Sequence, residues 1–135
     1  MYEMNIITFN YDIPRLPLII VGQKRSIYYD VEVSLGTDYF GNNIYGVIPL
    51  NIKNELELRV HSFENFERRG MIEKRSVVKP TLIIRTIHPI KIENVKMVTY
   101  NGDDIILSRS FLVDFMNVKR IVMDFKLNKI SYICH

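Results

Sequence analysis

The groups in this chain that could do acid–base, nucleophilic or metal chemistry are few. They are three histidines (His61, His88 and His135), one cysteine (Cys134) and fifteen acidic side chains. The histidines lie far apart in sequence and show no metal-type spacing such as HxxxH, so they read as surface or loop residues. Cys134 and His135 form a tempting nucleophile–base pair. At the end of the chain, however, the pair would lack the walls that hold a substrate in place. Asp103 and Asp104 are adjacent carboxylates, and neighbours on a strand point to opposite faces, which suits a turn better than a shared substrate.

Leu35-Gly36-Thr37-Asp38 has the residue types of an aspartic-protease strand end, but the Asp-Thr/Ser-Gly order that such chemistry needs is absent. No phosphate-cradling GxxxxGK or GxGxxG loop occurs. The expectation from these residues is a chain with no catalytic centre, metal or cofactor, and no small-molecule substrate. Its work would then be binding or assembly.

A basic stretch is the stronger signal. Lys53, Arg59, His61, Arg68, Arg69, Lys74, Arg75 and Lys79 fall within 27 residues, interleaved with Phe63 and Phe66. Arginine pairs bidentately with phosphate, and aromatic rings stack on bases, so these eight residues are the candidate RNA-binding set. The plainer reading is a solvated face, because Glu55, Glu57, Glu64, Glu67 and Glu73 dilute the charge.

The elements that must position such residues are bounded by length. At 135 residues the chain fits one domain able to bury its own core. Net charge is +3, distributed as −2 over residues 1–45, +2 over 46–80 and +3 over 81–135. One cysteine excludes an internal disulfide and a cysteine-based metal site. No apolar run approaches membrane-spanning length, and the N-terminus lacks the basic head and cleavage site of a leader. Alanine and tryptophan are absent while Ile, Asn, Lys, Tyr and Phe abound, a codon bias of AT-rich genomes such as those of organelles or viruses.

Strand signals dominate. Leu18–Val21 reads as a buried strand ended by Gly22. Residues 26–40 carry both a helical stripe (Ile27, Val31, Leu35) and a strand-like alternation from Tyr28 to Val33. Ile44–Arg59 reads as extended, with Leu56, Leu58 and Val60 alternating. Residues 61–75 read as a loop or exposed hairpin tip, and Thr81–Ile87 as a strand. Pro89 opens a helical-period segment (Ile92, Val95, Val98) that Asn101-Gly102 would end. Asp103–Leu107 reads as a strand, and Arg120–Phe125 with Ile130–Cys134 as a hairpin.

Gly41-Asn-Asn-Ile44-Tyr-Gly46-Val-Ile48-Pro49-Leu50 resembles the small-subunit ribosomal protein family S-ten (NusE-like), in the register of Gly41, Ile44, Gly46, Ile48, Pro49 and Leu50. Arg59, His61, Arg68-Arg69 and Gly102-Asp-Asp104 follow in a similar order. The resemblance departs from the family at Val47 and Asn51-Ile52, and the His61-Ser62 order is reversed. It implies an α+β ferredoxin-like split βαβ fold, with four antiparallel strands, two helices on one face and a long extended loop. The domain would span 1–107 with the loop at 47–76, and 108–135 would be an extension, read as a β-hairpin. It further implies a structural role in the small-subunit head. Ribosomal RNA and neighbouring ribosomal proteins would be the partners, without membrane contact, in a mitochondrial or otherwise cytoplasmic ribosome. The alternative is a β-rich viral or phage structural or interaction protein that binds no RNA.

Overall fold

The computed structural model describes residues 5–36 and 43–135. Apolar alternation, bounded by Gly, Pro and Asn turns, sets most of it. After β1 (Asn5–Phe9) come β2 (Arg15–Val21) and β3 (Ser26–Ser34), then β4 (Gly46–Pro49) and a short α1 (Leu50–Glu55). The middle of the chain supplies β5 (Val60–Arg68), β6 (Met71–Val78), β7 (Thr81–Ile84), β8 (Ile90–Ile92) and β9 (Met97–Tyr100). The last elements are β10 (Ile106–Ser108), α2 (Arg109–Met116), β11 (Val118–Asp124) and β12 (Lys129–Cys134).

The strands form a mixed nine-stranded sheet, ordered β5-β6-β9-β4-β10-β3-β2-β7-β8, and a three-stranded sheet, β1-β12-β11. Two pairings in the larger sheet are parallel, β4 with β9 and β10 with β3. The main core gathers Leu16, Leu18, Ile20, Ile48, Met97, Leu107 and Phe111, and Tyr132 of the smaller sheet joins it. Tyr132 is fully buried and donates its hydroxyl hydrogen bond to the Arg15 carbonyl at 2.8 Å, which ties the two sheets together. A second cluster, Ile44, Val47, Val77 and Val98, fills the other face of the same strands. Strands buried on both faces lose the polar alternation that sequence reading relies on.

This architecture corrects the ferredoxin-like expectation. Residues 26–34 form a strand whose inward residues are Val31 and Val33, so the helix implied before Gly41 is absent over the described part of that segment. The expected helix after Pro89 is two strands separated by Asn94, whose positive φ of 57° breaks any helical run. Ile92 and Val95 are buried by neighbouring strands, and their spacing of three coincides with a helical stripe by accident.

Two helices stand where none was expected. Leu50–Glu55 turns helical after Pro49 because Ile52 and Leu56, four residues apart, both reach the core. In α2, Phe111, Leu112 and Met116 share the buried face, and Asn117 ends the helix in the left-handed conformation.

The segment expected as an extended loop over 47–76 is largely β4, α1 and the β5–β6 hairpin. Arg69 and Gly70 both have positive φ, 53° and 74°, as a two-residue type I′ turn requires. Residues 118–134 form the β11–β12 hairpin, and β1 pairs along β12 from Asn5–Cys134 to Phe9–Ile130.

Candidate functional site

Among the described residues, reactive or polar groups come together at the end of β3, along the β5–β6 hairpin and at the hairpin's base. The first is the end of β3. There β10 slots between β3 and β4, pairing in parallel with β3 (Leu107 opposite Val33, Ser108 opposite Ser34) and antiparallel with β4. Gly46 permits this approach, since a Cβ would run into the Ile106 carbonyl and lie 3.1 Å from Leu107 Cδ2. Beyond this pairing Ser108 is buried, shares a 2.7 Å hydrogen bond with the Ser110 hydroxyl and donates its amide to the Tyr45 carbonyl. Tyr45 in turn stacks edge-on against Phe115 and donates to the Asp114 carboxylate at 2.9 Å. That bond stabilises the protonated phenol and raises its pKa. Ser34 is half-buried, Leu35 is exposed, and a Cβ on Gly36 would make an ordinary 3.9 Å contact with the Ser34 hydroxyl. Thr37 and Asp38, the remainder of the strand-end motif, lie outside the described residues, as does Gly41.

The second region is the β5–β6 hairpin. Its tip exposes Met71 at 74% and Ile72 at 75%. A cleft of about 230 Å³ opens at its root, lined by Leu50, Phe63, Lys74, Ser76, Thr99 and Tyr100 among others. The floor is fixed by a buried pair: the Ser76 and Thr99 hydroxyls lie 2.7 Å apart, and Thr99 also donates to the Ser76 carbonyl at 3.1 Å. Beside it the Tyr100 hydroxyl donates to the Asp104 carbonyl. Burial chiefly, together with the nearby Asp104, Asp103 and Glu32 charges, raises that phenol's pKa.

The eight basic candidates do not form one patch. Lys53 sits in the last turn of α1, bonded to Asn54. Arg68 closes β5 opposite Met71, and Arg69 occupies the turn. Lys74 lies over the Phe63 ring at 4.8 Å. Arg75 lies over Phe66 at 5.0 Å and pairs with Glu73 at 3.0 Å. Arg59, His61 and Lys79 do converge, on a cleft of about 440 Å³ at the base of the hairpin.

Of the groups weighed for catalysis, the thiol is the one whose environment is defined. Cys134 is buried and desolvation pushes its thiol pKa up, which opposes a nucleophilic thiolate. Among the described residues no group of three or more His, Cys, Asp or Glu could hold a metal.

No protein-family model and no curated protein matches the chain. Among solved structures it is similar to the crystal structure of a retropepsin-like aspartic protease from Rickettsia conorii. The TM-score is 0.50 and identity 10%, over 99% of this chain and 96% of that one.

Two expectations are corrected by these findings. The ribosomal-family resemblance is overturned, because the fold shared over nearly the full length is a β architecture without the helices that family requires. Gly46, one of its matched residues, answers instead to the close approach of β10. The expectation of a chain that is not an enzyme is also overturned, because the architecture is one that a protease uses.

Proposed function

We propose that the protein acts on extended polypeptide, held against the β5–β6 hairpin above the cleft at its root. The hairpin is the observation that carries the reading. Its tip presents Met71 and Ile72 to solvent, and β5 is the terminal strand of the nine-stranded sheet, so its outer edge has no strand partner among the described residues. A free strand edge accepts an extended peptide through main-chain hydrogen bonds, while alternate side chains seek apolar pockets. Leu50, Phe63 and Tyr100 give the cleft at its root an apolar part, and Glu73, Lys74, Arg75 and Asn101 make the rest polar. The likeness to a protease fold supports polypeptide as the ligand class.

Aspartic-protease chemistry uses two carboxyl groups that share one proton. Leu35-Gly36-Thr37-Asp38 has the residue types but not the order of that chemistry, so Asp38 is the carboxyl to test.

The experiment incubates the protein with a mixed peptide library between roughly pH 4 and 7, spanning ordinary carboxyl titration. Retained peptides are read by affinity capture and new termini by mass spectrometry. Retention of apolar, extended peptides is expected, weakened by Met71→Ser with Ile72→Ser. Cleavage lost in Asp38→Asn assigns the chemistry to that residue. A library neither retained nor cut overturns the proposal.

A further inference from the structure

We infer that the cleft beneath the hairpin's base binds the phosphoryl group of a small phosphorylated molecule. It lies between the β2–β3 turn, the strand entry at 58–61 and the β6–β7 link, and measures about 440 Å³, within the size range of small-molecule sites. Arg59, His61 and Lys79 all line it, and no Asp or Glu does. Among the described residues none of these three side chains takes part in an ion pair, and none is held by a side-chain hydrogen bond.

The acidic residues near the cleft in sequence each have a cationic partner, Glu64 with Lys96 at 3.1 Å and Glu93 with Lys91 at 3.3 Å among them. Glu57 pairs with Lys24 at 3.6 Å, and Glu55 pairs with Arg25. Both partners come from the β2–β3 turn, which is held against α1 by the Gln23 amide donating to the Leu56 carbonyl at 3.1 Å. The turn thus sets two positive charges beside carboxylates that would oppose an anion, a partial offset since both pairs are exposed, and leaves Arg59 and Lys79 without an acidic partner among the described residues.

The cations are brought together by register. Val60 pairs with Val78 across the hairpin, so the residues just outside that pair, Arg59 and Lys79, flank one opening. Guanidinium and ammonium groups hold phosphate by charge-assisted hydrogen bonds. Asn94 adds an amide at the same opening, while Leu58 and Val21 give it an apolar wall. An anion with an organic substituent uses both surfaces, and a bare anion uses one.

The test is calorimetric titration of the full chain with inorganic phosphate and with phenyl phosphate. Phenyl phosphate is expected to bind more tightly than phosphate. Arg59→Glu and Lys79→Glu should each weaken binding by about tenfold or more, the loss of one charge-assisted contact. Lys129→Glu, on the three-stranded sheet, should leave it unchanged. Arg59→Gln and Lys79→Gln repeat the measurement without charge reversal, with circular dichroism showing the fold intact. Absence of binding, or equal binding by the wild type and the cleft variants, overturns the proposal. So does a short oligoribonucleotide bound through Arg59 and Lys79 when phenyl phosphate is not, which would make the ligand an RNA backbone.

Discussion

Replacing Thr99 by valine keeps the shape of the side chain and removes one hydroxyl. That hydroxyl accepts from Ser76 at 2.7 Å and donates to the Ser76 carbonyl at 3.1 Å, and both residues are buried. The replacement therefore strands the Ser76 hydroxyl without a partner, at a cost of about 1–3 kcal/mol. Ser76→Ala is milder, because Thr99 keeps its bond to the residue 76 carbonyl, and about 0.5–1.5 kcal/mol is expected. In the double variant the stranded hydroxyl is gone, so the second replacement adds nothing or restores stability. The coupling between the two sites should be about 1 kcal/mol. Urea unfolding of the four proteins measures it. With an m-value of about 2 kcal/mol/M, a loss of about 2 kcal/mol moves the midpoint by about 1 M. Single costs that simply add in the double variant would refute the reasoning, and with it the claim that this pair fixes the cleft floor. Peptide retention should fall in Thr99→Val beyond what lost folded protein explains.

Gly46→Ala should cost about 1–3 kcal/mol by thermal unfolding, because the added methyl meets the Ile106 carbonyl, Leu107 and Met97. Serine at Met71 and Ile72 should leave stability within about 0.5 kcal/mol, since both side chains are exposed, while weakening peptide capture. Burial holds the Tyr132 phenol above its ordinary range. The folded chain then keeps a proton that the unfolded chain releases near pH ~10, so its contribution is full below that pH and lost above it. Tyr132→Phe should flatten the alkaline fall in stability measured from pH ~9 to ~11. The Cys134 thiol, buried and pushed up, should resist alkylation at neutral pH until denaturant opens the fold, and rapid labelling of the native chain would contradict its placement.

What the sequence made legible follows from how each segment is buried. Leu18–Val21 ends at Gly22 because a side chain there would strike the Arg25 and Leu56 carbonyls, and the strand was readable from the glycine. The terminal hairpin was readable because Arg120–Phe125 and Ile130–Cys134 flank a polar turn. Residues buried on both faces misled. Met97, Val98 and Thr99 are all buried, so no alternation marked β9, and the spacing of Ile92, Val95 and Val98 suggested a helix instead. Leu56, Leu58 and Val60 alternate like a strand, yet Leu56 caps α1 and only Val60 begins β5. The α2 signal was present and unread, in Phe111-Leu112 and Phe115-Met116 four residues apart. For the site, the individual cations were visible. Their grouping was not, because it depends on the hairpin register, in which a one-residue shift between Val60 and Ser62 sets Val60 opposite Val78 and so brings Arg59 beside Lys79. The Arg69-Gly70 turn marks residues 60–78 as one hairpin, but the shift that aligns the two cations leaves no mark in the sequence.

The insertion of β10 between β3 and β4 also constrains the order of events during folding. Ile106 must reach Glu32 and Val47 before two strands that are near neighbours in the chain become parts of one sheet. The three-stranded sheet closes later still, when Cys134 pairs with Asn5. Such distant pairings form slowly, because much loop entropy is lost before contacts reward it. During synthesis the first three-quarters of the chain must therefore wait, with the facing edges of β3 and β4 unfilled, until Ile106–Ser108 emerge. A chain stopped before Ile106 would carry a strand-shaped vacancy through its middle, open to any extended segment that arrived first.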